Sequence, residues 1–455
     1  METPDWVRAA RITEFVVPGV RERALRSGMS DAEAYAHIGR LAAQFPEETA
    51  LLNGSVIWLD GHYPYPNDRR EDDPDGSWHT GQCNRAMFPY DRYDLAAFDL
   101  TPLLDGAHQR DQRVVTYVDF VGCLTTMPHA AEYAKRDVFG NPQSHWPWIA
   151  YATCPNNPEW EAFCVEQARG VMAMGFDGIF FDDANRPLHA MPCHCEHCVA
   201  LFRERYSAEP PRWPGEPLWT EWSLLPYVSM ASLVGKTRAA VKESGDDKAV
   251  VSNANMLIWP ELCDAEDGHV SDFPGTPEKP EAYLRSAAEL YQAAKGKPIW
   301  LGHYYTPTVE HYAKALALNM SMRASTKLQY HFEYDVLTAE NPALAQLVSR
   351  FFAFQREHRG LYADEQHLVN FQPRWLPSPL FATAFQGDAL YLHLAAKDAG
   401  KVEYQAPTLP LSAGKVQSVT LCTLDGDREL SWMPSFDAMR LEDIAFEHYA
   451  VLRIS

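Results

Sequence analysis

Gly175-Phe176-Asp177-Gly178-Ile179-Phe180-Phe181-Asp182 is the stretch that decides the fold. Gly175 stops a helical pattern that begins at Pro158 and Glu159 and reaches Met174. An Asp-Gly turn leads into a short apolar run, which reads as a buried strand, and a carboxylate ends it. Strand alternation puts Asp182 on the face of Phe180 and Gly178, and Asp177 reads as a turn residue at the strand's entrance.

The same unit recurs on both sides. Arg11–Val17, Val56–Asp60 and Val114–Asp119 read as three earlier strands, and Asp177–Asp182 is the fourth. Ala249–Asn253 is the fifth, the weak run Leu262–Ala265 the sixth, Pro298–His303 the seventh and Leu328–Phe332 the eighth. Helical patterns separate them. One is capped by Ser30 with Glu33 in the capping-box position and runs to Phe45, and others cover 196–206, 226–243, 280–294 and 342–358. Long loops rich in Asp, Pro, Trp and His span 61–93 and 120–155, where a compact domain keeps functional segments. This alternation predicts an α/β protein with a closed (β/α)8 barrel over 1–361. From Tyr362 the helical stretches give way to short alternating runs with Gly- and Asp-containing turns, which predicts a β-sandwich over 362–455.

Barrel enzymes work at the C-terminal ends of their strands. There the second strand brings Asp60 and His62, the third Asp119, and the fourth Asp182, Asp183 and Arg186. The fifth brings Asn253, the seventh His303 and Tyr304, and the eighth Glu333. Such a concentration of acids, amides and imidazoles on one rim points to a site rather than to ordinary polar strand ends.

The Gly175–Asp182 stretch resembles the fourth-strand signature of several retaining glycosidase families, the α-amylase and dextranase families among them. The resemblance implies that Asp182 is the nucleophile of a double-displacement glycoside hydrolase. Such chemistry needs a second, protonated carboxyl group facing the first. Glu266, amid the acids beyond the expected sixth strand, is the first choice, with Glu261, Asp264 and Glu333 as rivals. Asp60, His62, Asp119, Asp183, Arg186, Asn253, His303, Tyr304 and Glu333 are then the candidates to hold sugar hydroxyls, and Trp58 or Tyr304 to stack on a ring.

Cys193-His194-Cys195-Glu196-His197-Cys198 is the second motif. With Leu201-Phe202-Arg203 it resembles the zinc-bound loop of bacterial β-galactosidases, which implies a structural zinc on Cys193, Cys195 and Cys198. Cys154, His189 or His197 is available as fourth ligand. Those β-galactosidases carry an Asn-Glu pair as their acid, and this chain has no adjacent Asn-Glu, so their catalytic residues do not carry over. A closed zinc site would pin the loop and do no chemistry, and an organic cofactor is not expected.

Composition narrows the partners. The net charge of −21, with no basic run to offset it, argues against nucleic acid. No apolar stretch approaches the roughly 20 residues of a membrane span. The N-terminus lacks the basic start and apolar middle of a signal peptide, and clustered cysteines in an odd total of nine favour a reducing cytoplasm over a disulfide framework. The expected partner is an oligosaccharide or glycoside, and assembly into a homo-oligomer stays open. Two other functions remain: a glycosidase-like barrel that binds sugar without cleaving it, and a metal-dependent hydrolase or isomerase. The latter lacks its usual His-x-His or His-Glu-x-x-His signature.

Overall fold

Eight short parallel strands close on one another edge to edge, so that no strand edge is left unpaired. The computed structural model describes residues 2–8, 10, 12–16, 28–30, 33, 56–60, 101–109, 111–118, 120–124, 129–146, 150–184, 192–253, 260–271, 279–294, 296–303, 308–330, 342–371, 380–397, 400–411, 416–435 and 438–455. The first barrel strands are β1 (Ile12–Val16), β2 (Val56–Asp60) and β3 (Arg113–Val118). A small antiparallel sheet follows, made of β4 (Gly122–Leu124), β5 (Ser144–Trp146) and β6 (Ala150–Ala152). The barrel resumes with β7 (Gly178–Phe181), β8 (Ala249–Asn253), β9 (Gly268–Ser271), β10 (Ile299–His303) and β11 (Ser325–Tyr330). All eight pairings round the ring are parallel, and β11 returns to β1.

Side chains alternate between lumen and helix layer. Val115, Phe180, Val251, Val270 and Trp300 fill the lumen. Val114, Ile179, Phe181 and Val250 face the surrounding helices. The short helix Asp5–Arg8 plugs the N-terminal mouth: Val7 and Ala10 join the lumen core, and the Trp300 indole donates to the Val7 carbonyl at 3.0 Å. Nothing in the sequence pattern singled out that plug.

An Asp-Gly pair starts both β7 and β9, and each pair does the same work. Asp177 accepts from the Val114 N–H at 2.9 Å and Asp267 from the Val250 N–H at 3.0 Å, each lacing its strand to a neighbour. Gly178 has no room for a side chain, since a Cβ would lie 2.6 Å from the Ala249 carbonyl oxygen. Asp267 also takes the buried Arg238 at 2.7 Å, with Lys242 at 3.7 Å, so the helix Trp219–Lys242 is tied to the sheet through one fully buried carboxylate. Asp267→Ala strands the Arg238 charge and is expected to cost about 3–5 kcal/mol. A urea midpoint shift equivalent to under about 1 kcal/mol would reject this account.

Two strand expectations are corrected. Leu262–Ala265 is part of a helix, Pro260–Ala265, opened by proline and burying Leu262 and Cys263. The sixth strand is β9, whose only large apolar residue is Val270; His269 and Ser271 face outward and are fully buried. The eighth strand starts earlier than expected, at Ser325, because Ser325 and Lys327 disguise its first half. The helix expected from 226 begins at Trp219 and carries Pro226 inside it. At residue 30 the capping box forms, with Ser30 N–H donating to Glu33 Oε2 at 2.8 Å and Glu33 N–H to Ser30 Oγ at 3.3 Å. The remainder of that helix lies outside the described residues.

After the short helix Gly360–Ala363, which contains the expected boundary Tyr362, the chain is β-rich. It forms β12 (His367–Phe371), β13 (Leu380–Gln386), β14 (Leu390–Ala396), β15 (Lys401–Tyr404), β16 (Thr408–Leu409), β17 (Val419–Thr423), β18 (Gly426–Glu429), β19 (Trp432–Ser435), β20 (Ala438–Leu441), β21 (Ile444–Glu447) and β22 (Tyr449–Ile454). A six-stranded sheet, β12-β13-β14-β22-β17-β18, packs Ala382, Leu392 and Leu452 against residues of two smaller sheets, β15-β21 and β16-β20-β19. Its other face turns Phe385, Tyr391 and Val451 to the barrel.

The seam between barrel and β-rich unit is polar at its centre. Tyr449 donates to the Met320 carbonyl at 3.2 Å, and its hydroxyl meets Tyr362 at 3.1 Å and His393 Nδ1. His393 is fully buried, and burial, helped by the Arg323 charge, pushes its pKa down to about 3. A base whose folded pKa is depressed stabilises the fold above its unfolded pKa, and that stability is lost as pH falls from about 6.5 toward 3. The loss is about 3 kcal/mol by pH 4. His393→Gln is therefore expected to narrow its stability deficit against the parent as pH drops from 7 to 4.5. A deficit independent of pH over that range would rule out the buried neutral imidazole. Among the described residues, no helix is long and apolar enough to cross a membrane.

Candidate active site and cysteine knot

Asp182 follows β7 directly, and its N–H continues the ladder to the Val118 carbonyl at 2.8 Å. Phe180 lies in the lumen core and Phe181 in the helix layer, edge-on to Phe120 at 5.4 Å, so alternation returns Asp182 to the lumen side. Its side chain is buried, 7% exposed, and accepts from Asn253 Nδ2 at 2.7 Å. Asn253 ends the next strand, β8, and its carbonyl accepts the Ala184 N–H at 2.8 Å. Between these anchors Asp183 sits buried in the left-handed region at φ 52°, a conformation uncommon outside glycine and frequent at functional turns. The pair does not cap a described helix: the next one starts at Glu196 with Cys195 at its N-cap. Asp182 is thus a carboxylate held in one orientation at the C-terminal mouth of the barrel, where a nucleophile needs to be.

Glu266 is not brought to Asp182. It precedes β9 instead of following it, is fully buried, and hydrogen-bonds the Ser252 hydroxyl, with His269 Nδ1 3.2 Å from its other oxygen. Ser252 and His269 both face the helix layer, because Val251 and Val270 face the lumen. Glu266 therefore lies behind the sheet wall, cut off from any substrate, and the general-acid expectation is corrected on that ground. Glu261 and Asp264 are exposed on the helix Pro260–Ala265, which leads into the N-terminal end of β9. Glu333 lies outside the described residues, as do His62, Asp119, Arg186 and Tyr304. Asp60 and His303 are the last residues of β2 and β10, so their backbone stands on the expected rim.

The sequence carries a second Asp-Gly-x-x-x-Asp pattern that the misplaced sixth strand concealed. Asp177-Gly178-Ile-Phe-Phe-Asp182 is matched by Asp267-Gly268-His-Val-Ser-Asp272. The described part of the second copy reproduces the first, from the carboxylate lacing to the register of its glycine beside a lumen valine. Asp272 itself lies outside the described residues.

The cysteine motif closes into a knot of four. Cys154, at the end of the small sheet, meets Cys193, Cys195 and Cys198, with all four Sγ atoms within 4.8 Å of one another. Cys154 Sγ is 3.5 Å from that of Cys195 and 3.4 Å from that of Cys198. Tetrahedral zinc–thiolate bonds of about 2.3 Å require sulfurs roughly 3.8 Å apart, which this spacing nearly meets. The Arg136 N–H donates to Cys193 at 3.4 Å and Asn156 Nδ2 to Cys198 at 3.2 Å, which stabilises negative charge on both sulfurs. The fully buried Lys135 supplies an opposite charge, its pKa lowered by burial against the pull of Cys193 and Cys154. Hydrogen bonds from Cys154 hold Cys193 and Cys195 below the usual thiol range, while Cys154 and Cys198 are pushed well above it, by Cys193 and Cys154 respectively. Four adjacent thiolates cannot all ionise without a cation between them. The donor set thus fits zinc with four protein ligands, and among the described residues the fourth is Cys154, not His197. His189 lies outside the described residues.

No family profile and no curated protein matches the chain's sequence. Its fold, however, is similar to solved structures over nearly its whole length. The noncanonic maltogenic α-amylase AmyB of Thermotoga neapolitana aligns with a TM-score of 0.62 at 11% identity, over 98% of this chain and 99% of that one. The debranching enzyme of Nostoc punctiforme aligns with a TM-score of 0.60 at 12% identity, over 100% and 99%. A cycloisomaltooligosaccharide glucanotransferase of Paenibacillus sp. aligns with a TM-score of 0.60 at 8% identity, over 98% and 85%. The chain therefore has the barrel-plus-β-domain fold of these amylase-type enzymes.

Proposed function

We propose that the chain is a retaining glycoside hydrolase with Asp182 as nucleophile. The observation that carries this is the buried Asp182 carboxylate, fixed by Asn253 at the lumen end of the fourth strand. The ionised carboxylate attacks the anomeric carbon and a glycosyl ester forms as the leaving oxygen takes a proton. Water then cleaves the ester with the same second group acting as base. For that second group we propose Asp272 in place of Glu266, on the repeat of the Asp-Gly-x-x-x-Asp pattern. Asn253 has no ionisable proton to give, so it orients the nucleophile. Asp60, Asp183 and His303, with His62, Asp119, Arg186, Tyr304 and Glu333, are proposed to hold the sugar. The amylase-type fold neighbours support an oligosaccharide substrate. For the knot we propose one structural zinc, which takes no part in the reaction.

The test is a panel of aryl glycosides of both anomers, followed by proton NMR of the first-formed sugar. Retained configuration is expected. An inverted first product would overturn the nucleophile assignment, and saccharide binding without cleavage of any substrate would favour a non-catalytic binder.

A further inference from the structure

Two aromatic rings stand out in water on the C-terminal face of the barrel. Phe139 is 76% exposed and Trp213 is 47% exposed, and their ring centroids are 6.1 Å apart. They come from different connections: Phe139 from the segment after β3, Trp213 from the loop between the helices Glu196–Tyr206 and Trp219–Lys242.

Neither ring is there by slack. The Phe139 turn is clamped by Asp137, whose carboxylate accepts the N–H groups of Phe139 and Asn141 at 2.8 Å each, while Gly140 takes φ 88°. Trp213 lies in Pro210-Pro211-Arg212-Trp213-Pro214-Gly215, where three prolines restrict the backbone. Glu216 closes that loop by accepting the Arg212 N–H at 2.9 Å. The Phe139 turn is rooted in the cysteine knot, and the helix that follows the Trp213 loop packs against the same motif. Arg136 donates to Cys193 and accepts from the His194 N–H at 2.8 Å, and the His194 ring packs edge-on to Trp222 at 5.2 Å. Exposed aromatic side chains in pre-ordered turns lose little entropy on binding, which is how binding surfaces are built.

We propose that Phe139 and Trp213 form an accessory saccharide-binding platform, seating sugar units of a longer chain beyond the catalytic mouth. Aromatic faces stack on the C–H faces of sugar rings, and the turns around them offer amide and carboxylate partners such as Asn141. The area disfavours a protein partner held by the rings alone. Two rings present a few hundred Å², short of the roughly 800 Å² per partner of a stable protein interface. The acidic surface disfavours polyanions. The choice of a saccharide rests on the glycosidase reading.

The experiment is native electrophoresis of the whole protein through gels cast with soluble starch, dextran or no polysaccharide. The parent and Asp182→Asn are expected to be retarded in at least one polysaccharide. Trp213→Ala and Phe139→Ala should weaken retardation ~tenfold or more, and Trp213→Phe should restore much of it. Turnover of a small aryl glycoside by Trp213→Ala should stay within about twofold, since Trp213 is no part of the proposed catalytic constellation. An unretarded parent, or a Trp213→Ala variant retarded like the parent, overturns the proposal. So does a parent dimer in sedimentation that Trp213→Ala converts to monomer, which would make the rings a self-association contact. If Asp182→Asn keeps its turnover while Trp213→Ala loses retardation, the catalytic reading fails and the platform stands.

Discussion

Asp182→Asn is expected to lower turnover by ~10³-fold or more with little change in thermal midpoint. The substitution keeps the shape of the side chain and leaves an oxygen to accept from Asn253 Nδ2, now at 2.7 Å from Asp182. What it removes is the negative charge and the nucleophilic lone pair that form the glycosyl ester. Sugar affinity, measured by calorimetry with a slowly cleaved ligand, should stay within a few-fold. Two companion variants separate the carboxylates. Asp272→Asn should lower turnover by orders of magnitude with an aryl leaving group that needs a proton, and by much less with one that leaves unaided. Glu266→Gln should disturb folding, since it sits in a closed layer with Ser252 and His269, and leave turnover per folded molecule nearly intact. A near-normal rate for Asp182→Asn on a confirmed substrate would sink the mechanism. A large loss in folded Glu266→Gln would reinstate the residue that the sequence first suggested.

The contrast between Asp182 and Glu266 shows what a sequence of this kind conveys. Strands β2, β7 and β8 were legible because their residues are mostly apolar and lead to an acid or amide, and a parallel barrel strand is buried on both faces. The sixth was not, because Gly268-His-Val-Ser271 has one bulky apolar residue, and its buried His269 is paired with an equally buried Glu266 three residues earlier, a pair that reads from sequence as solvated polar chain. The apolar pair Leu262-Cys263 nearby offered a better-looking strand and is in fact the buried side of a helix turn. A short apolar run does not separate the two cases. That one slip moved Glu266 from behind the wall to the rim. The Asp-Gly pair that opens β9 was the better guide, since Asp-Gly is demanded by carboxylate lacing and a close neighbour at both strand starts. The small sheet β4-β5-β6 and the N-terminal plug were hidden for another reason. Both are short, and tertiary contacts rather than local pattern define them.

Cys154→Ser is the second substitution with a large expected effect, and it acts through metal. The protein purified without chelators is expected to hold about one zinc per chain, and Cys154→Ser or Cys198→Ser to hold far less. Structural zinc contributes on the order of 10 kcal/mol of apparent binding energy, comparable with the whole stability of a domain. Here the four thiols join the end of the small sheet after β3 to the loop after β7, so they cross-link the two connections on either side of Asp182. Loss of the metal should therefore reach function as well as folding. Soluble yield should fall, the thermal midpoint should drop by many degrees, and aryl-glycoside turnover should decline in step with zinc content, although the metal touches no substrate. Cys164→Ser is the control: this cysteine is fully buried in the helix Pro158–Ala173, outside the knot, so its replacement should keep the zinc and cost only packing energy. Atomic emission showing well under one zinc per parent chain would leave the knot as four packed thiols. A Cys154→Ser variant with full zinc and full stability would show that the fourth ligand has been misidentified, while a zinc-free variant with unchanged turnover would sever the knot from the active-site loops.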